Sequence, residues 1–83
     1  MKKQECVINV PGLNEKFRFK VPDHMLIAEV IDLLAILIQE EYPKAEIQAE
    51  ILELYQARTG KKADKTRCLA ELEASEQEEW ILA

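Results

Sequence analysis

The sequence predicts an α+β domain: a mixed sheet of four to five strands with one long helix packed on one face. Three observations carry this reading. Apolar residues alternate up to Val21, then fall at helical spacing between Met25 and Glu41. The first change of period comes at Pro22, which cannot donate to a strand ladder, and Tyr42-Pro43 ends the helix. The strand period returns after residues 44–50 and closes the chain at Trp80 and Leu82. At 83 residues, with no repeat, linker or low-complexity run, the chain is expected to form a single domain over 1–83.

The elements follow in order. Glu5 to Val10 is β-branched and places Cys6, Ile8 and Val10 on one face, with Asn9 opposite. Pro11-Gly12-Leu13-Asn14 is a turn signal. From Lys16 to Val21 the alternation is clean: Phe17, Phe19 and Val21 on one side, Lys16, Arg18 and Lys20 on the other. The two runs make a hairpin with one buried and one wet face. Asp23 is the nearest capping residue for the helix over 25–41. Residues 44–50 fit a loop or a short helical turn, although Ala45, Ile47, Ala49 and Ile51 also alternate like a strand. A strand over 52–58, a tight turn at Thr59-Gly60-Lys61 and a minimal edge strand at Lys62-Ala63 come next. A helical turn over 66–72, anchored by Leu69 and Leu72, leads to the last strand over 79–82.

The helix carries more apolar surface than one sheet can cover. Its apolar arc spans roughly 220°, against little more than about 100° for packing on a single layer. Ile36 falls inside the polar arc, among Glu29, Asp32, Gln39 and Glu40. Two coverings are expected as alternatives. Two copies pair through Ile36, or the 42–50 connection folds back over Leu26, Val30, Leu33 and Leu37 using Ile47 and Ile51.

Charge narrows the function classes. Sixteen Asp and Glu against eleven Lys and Arg give a net charge of −5. That balance argues against nucleic acid and anionic membranes as main partners, since both require a basic stripe. Met1-Lys2-Lys3-Gln4-Glu5 leads into no apolar secretory segment, so a cytoplasmic location is expected. Cys6 and Cys68 have neither CxxC nor metal-ligand spacing and are expected to be free, partly buried thiols.

The order of hairpin, long helix, strand, short edge, helical turn and final strand resembles the β-grasp order of ubiquitin-like proteins. The C-terminal third, Leu54 to Leu82, carries the sharper likeness, with Cys68-Leu69-Ala70-Glu71 where that superfamily has a Thr-Leu-type turn. Within the superfamily the chain, including Ala28-Glu29-Val30-Ile31 at the helix start, is most similar to the small bacterial YukD/EsaB proteins. The resemblance implies a cytosolic accessory of type VII (ESAT-6-like) secretion that works through protein partners, possible secretion-machinery components among them. A second reading of the same likeness is a β-grasp accessory subunit of a multicomponent enzyme such as a diiron monooxygenase. Departures are the turn Ser75-Glu76-Gln77-Glu78-Glu79, Ala74 in place of a larger apolar residue, and a longer helix-to-strand connection. The conjugating members end in a flexible Gly-Gly tail. This chain ends Glu79-Trp80-Ile81-Leu82-Ala83, so no conjugation chemistry is expected unless the chain continues beyond Ala83.

No residue is assigned to catalysis, a cofactor or a metal, and an enzyme is not expected. His24 beside Asp23 invites a triad, but Ser75 is the only serine and has no nucleophile signature. Cys68 lies near Lys65 and Arg67, which would favour a reactive thiolate, yet by the β-grasp alignment it opens a structural turn. The protein-interaction candidates are Lys16, Arg18 and Lys20 on the outer sheet face, Ile36 on the helix, and Arg58, Lys61 and Lys62 in a basic turn that continues to Lys65 and Arg67. Glu71, Glu73, Glu76, Glu78 and Glu79 form an acidic segment. The two charged runs read either as solvated loops or as a polarised surface that orients a partner. Trp80 is assigned to the core with Ile8, Phe19 and the helix.

Overall fold

The structure, a computed structural model, describes residues 3–72 and 78–83. Four strands form one mixed sheet: β1 (Lys3–Val10), β2 (Glu15–Pro22), β3 (Leu54–Gln56) and β4 (Glu78–Leu82), in the order β2-β1-β4-β3. The hairpin β1–β2 is antiparallel, β1 and β4 run parallel, and β3 closes antiparallel on β4. One helix, α1 (Ile27–Glu41), covers one face. This is a ubiquitin-like α+β fold.

The hairpin forms as its alternation predicts. Cys6, Ile8 and Val10 are buried, and Val21 joins them from β2. Pro11–Leu13 makes a 3-10 turn that ends on Asn14 at φ 54°, a left-handed conformation that asparagine tolerates better than most residues. Because β2 is an edge strand, Phe17 and Phe19 are only half-buried. They stack at 5.9 Å, and Tyr42 meets Phe17 edge-on at 6.0 Å. Trp80 pairs in register with Ile8 and is buried with Leu82, as expected.

The helix begins differently from the capping rule. Asp23 does not cap it; the N-cap is Leu26, in extended backbone. Glu29 reaches back to accept the Leu26 N–H at 3.2 Å. The next two N–H groups, of Ile27 and Ala28, donate across the fold to the carbonyls of Arg67 (2.7 Å) and Lys65 (3.2 Å). Tertiary carbonyls thus satisfy donors that a side-chain cap would otherwise take. Asp23 instead contributes its carbonyl, which accepts the Ala70 N–H at 3.0 Å.

The 64–72 segment is built by the same kind of local device. Glu71 accepts the Cys68 N–H at 3.2 Å, and this bond holds its carboxyl below the usual carboxylate range. Asp64 accepts from the Thr66 hydroxyl (2.7 Å) and N–H (2.9 Å), with the same effect on its own carboxyl. Leu69 is buried and Leu72 packs half-buried on the core, as the expected anchors. β3 is shorter than the expected 52–58. Its turn starts at Ala57, closed by Gly60 N–H donating to the Gln56 carbonyl at 2.7 Å, with Gly60 at φ 73°. The minimal edge strand survives as one bridge, Lys62 to Tyr55.

The 42–50 connection folds back on the helix, but not over the residues expected. Gln39 holds it: its amide N–H group donates to the carbonyls of Tyr42 (3.1 Å) and Ala45 (2.5 Å), and its carbonyl accepts the Ile47 N–H (3.2 Å). Ile47 therefore packs against the core on the Ala35–Gln39 flank. Ile51 closes a 3-10 turn, Ala49–Ile51, and is 72% exposed, so it covers nothing. Leu26 and Leu37, on the other flank, remain exposed. Gln39→Ala should destabilise the fold by about 1–2 kcal/mol, since it leaves an N–H and two carbonyls of the connection without this partner. Amide exchange at Ile47 should accelerate at least tenfold while exchange in β1 follows only the global change. Unchanged Ile47 protection would mean that the amide does not hold the connection.

Candidate functional site

The outer face of the sheet follows from the register. With Cys6 and Ile8 turned inward, Glu5, Val7 and Asn9 must point out. Pairing then sets Arg18, Val7 and Glu79 in one row across the sheet, and Lys16, Asn9, Ile81 and Tyr55 in the next. The Tyr55 bridge extends the second row to Lys62. The result is an apolar stripe of Val7, Ile81 and Tyr55, all half-buried. Exposed Lys16, Arg18 and Lys20 flank it on one side and Lys62 on the other.

Ion pairs tether part of this cationic rim. Arg18 Nη1 lies 3.4 Å from Glu5 Oε1, and Lys16 Nζ lies 3.6 Å from Glu79 Oε1. These pairs are largely exposed, so each contributes at most about 1 kcal/mol and yields readily to a competing partner.

The seven predicted interaction residues do not form one site. Lys16, Arg18 and Lys20 line the outer face with Lys62 at its far edge. Ile36 stands 58% exposed on the helix, on the opposite side of the sheet. Lys61 is exposed in the turn after β3, while Arg58 is engaged with Glu78, Nη2 to Oε1 at 3.5 Å. That contact corrects the reading of Glu78 as part of a solvated acidic run. Glu78 is 7% exposed, opens β4 on its inner face, and accepts the Gln56 amide N–H at 3.0 Å. The basic and acidic runs are also not independent of the rest. Arg67 pairs with Asp64 and Glu71, and Lys65 with Glu53 at 3.4 Å. Glu73, Ser75 and Glu76 lie outside the described residues.

The remaining sequence candidates resolve as follows. His24 Nε2 sits 3.4 Å from Asp23 Oδ1, an ion pair only when the imidazole is protonated; by hydrogen-bond geometry that buried oxygen has no partner among the described residues. Both cysteines are free, Cys6 buried and Cys68 partly exposed. Among the described residues no group of His, Cys, Asp and Glu could hold a metal ion, and no helix is long and apolar enough to cross a membrane.

The class this architecture defines is the ubiquitin-like fold, and solved structures bear it out. The ubiquitin-like domain of an Arabidopsis thaliana protein superposes with a TM-score of 0.75 at 19% identity, covering 100% of this chain and 78% of that one. Ubiquitin from Caldiarchaeum subterraneum gives 0.77 at 12% identity, with 98% and 91% covered. The UBL domain of Plasmodium falciparum Dsk2 gives 0.75 at 12% identity, with 98% and 96% covered. At these identities the likeness is one of fold. No family model matches the sequence, and no curated protein matches it.

Proposed function

We propose that the protein is a non-conjugating ubiquitin-like adaptor that does no chemistry of its own and docks cytoplasmic protein partners through the outer face of its sheet. The supporting observation is the face itself: Val7, Ile81 and Tyr55 form an apolar centre between cations of β2 and Lys62. An apolar core with a charged rim is the composition of a transient docking surface. The resemblance of the sequence to YukD/EsaB proteins supports a partner in a bacterial type VII secretion machine, and the cationic rim suits an acidic surface on one of its cytosolic components.

The test is genetic and specific to the face. Deleting the gene in its host should abolish export of type VII substrates, and the wild-type gene should restore it. An Arg18→Glu, Ile81→Asp variant should fold but fail to restore export. Ile81 is half-buried in the inner strand β4 and Arg18 loses its pair with Glu5, so stability should fall by about 2–3 kcal/mol, and circular dichroism should show the variant folded at the growth temperature. Export unaffected by deletion would reject the secretion reading. Loss of a hydroxylase activity instead would favour the oxygenase-subunit alternative.

A further inference from the structure

The chain's charge is divided unevenly along its length. Residues 21–57 hold eight carboxylates and Lys44 as their only Lys or Arg, a net −7, while the remainder carries +2. Within that acidic stretch the 43–50 connection, tied to the helix by Gln39, leaves an open groove of about 950 Å³. Its apolar floor and walls come from Ala35, Ile36, Pro43, Ala45, Ile47 and Ala49. Its rim carries Asp32, Glu40, Glu46 and Glu50, and no Lys or Arg lines it. None of these four makes an ion pair among the described residues. By contrast, Glu5, Glu53, Asp64, Glu71, Glu78 and Glu79 all pair with internal cations.

We infer that this groove is a second docking surface, for a cationic amphipathic segment of another protein. Such a segment inserts an apolar side chain beside Ile36 and Ile47 and sets Lys or Arg against the four rim carboxylates. The charge pattern selects this occupant over a second copy. Ile36 lies one helical turn from both Asp32 and Glu40. A two-fold contact centred on it would face those carboxylates against their own copies with no cation between them. It also selects against nucleic acid and anionic lipid, which the rim repels. The surface is separate from the outer sheet face and stands or falls independently of it.

The probe is an 18-residue amphipathic peptide of Leu, Lys and Ala. Its controls are a scrambled peptide of the same charge and a twin with Glu in place of Lys. The wild-type protein should bind the amphipathic peptide at least tenfold more tightly than either control. Binding should weaken at least tenfold between 50 and 500 mM salt, and amide shifts should map to Ile36, Ala45, Ile47 and Ala49. Ile36→Ser should weaken binding about tenfold, as should the triple change Asp32→Asn, Glu40→Gln, Glu46→Gln, which should also flatten the salt dependence. Arg18→Glu should leave binding unchanged or slightly tighter. Equal binding of the scrambled peptide, or shifts spread over the whole acidic surface, would reduce the groove to non-specific charge and overturn the inference. So would a wild-type dimer at high micromolar concentration that Ile36→Glu dissociates, because the occupant would then be a second copy.

Discussion

Leu34→Ala should destabilise the protein by about 3 kcal/mol and lower its melting temperature by roughly 10–25 °C. Leu34 is 0% exposed and lies where α1 meets the sheet, with Ile31 and Ile38 a turn to either side, both also buried. Truncation removes three buried heavy atoms and leaves a void that the surrounding helix and strands close only in part. A domain of this length has roughly 4–12 kcal/mol of stability in all, so the variant should be partly unfolded well below the wild-type midpoint. Urea titration followed by Trp80 fluorescence reads the loss directly, since Trp80 is buried in the same core. Ile36→Ala is the control: two residues along the same helix and largely exposed, it should change stability by no more than about 0.5 kcal/mol. Equal effects at the two positions would mean that the helix does not pack by the face assigned to it.

What the sequence made legible is what local periodicity encodes. The hairpin, the long helix and the last strand were readable because Cys6-Ile8-Val10, Ile27-Ile31-Leu34-Ile38 and Trp80-Leu82 each repeat with the period of their element. The capping rule misplaces the helix start for a physical reason. Capping rules look for a side-chain oxygen nearby, and here the Arg67 and Lys65 carbonyls, some forty residues away, take the Ile27 and Ala28 donors. The 42–50 connection was ambiguous because its alternating Ala45, Ile47 and Ala49 suit several conformations. The deciding group, the Gln39 amide, sits on the polar side of a helix, where a glutamine signals nothing.

The outer face was half legible. Alternation in β2 put Lys16, Arg18 and Lys20 outward without ambiguity. The apolar stripe between those cations and Lys62 needs strand order: only the parallel pairing of β1 with β4 brings Ile81 beside Asn9, and only β3 on β4 adds Tyr55. Glu78 did carry a signal. It is in phase with Trp80 and Leu82, so the two-residue period placed it on the buried face. The surrounding glutamates concealed this by reading as a solvated run.

Above pH 9 the protein should lose stability through Cys6, by about 2–3 kcal/mol in all by pH 11. Burial pushes the Cys6 thiol from an ordinary value of 9.0 up to about 11, and the negative charges of Glu78 and Glu5 add to the effect. The Trp80 indole N–H offsets part of this by favouring the thiolate, although its geometry falls short of a full hydrogen bond. The sign follows from proton counts. Between these two values the unfolded chain has released the proton and the folded one still holds it. Folding then takes up a proton, and each unit of rising pH removes up to about 1.4 kcal/mol. Below pH 9 both states are protonated and Cys6 contributes no slope. Cys6→Ala should cost stability below pH 9, because it opens a small cavity, yet lose less between pH 9 and 11 than the wild type does, so the gap between the two should narrow or close by pH 11. The upward-shifted Tyr42 is common to both proteins and cancels in the comparison. Alkylation gives an independent reading: at pH 8 iodoacetamide should modify the partly exposed Cys68 in the native protein and reach Cys6 only on unfolding. Parallel stability curves for wild type and Cys6→Ala above pH 9, together with equal labelling of both thiols, would show that Cys6 is not buried as a neutral thiol against β4.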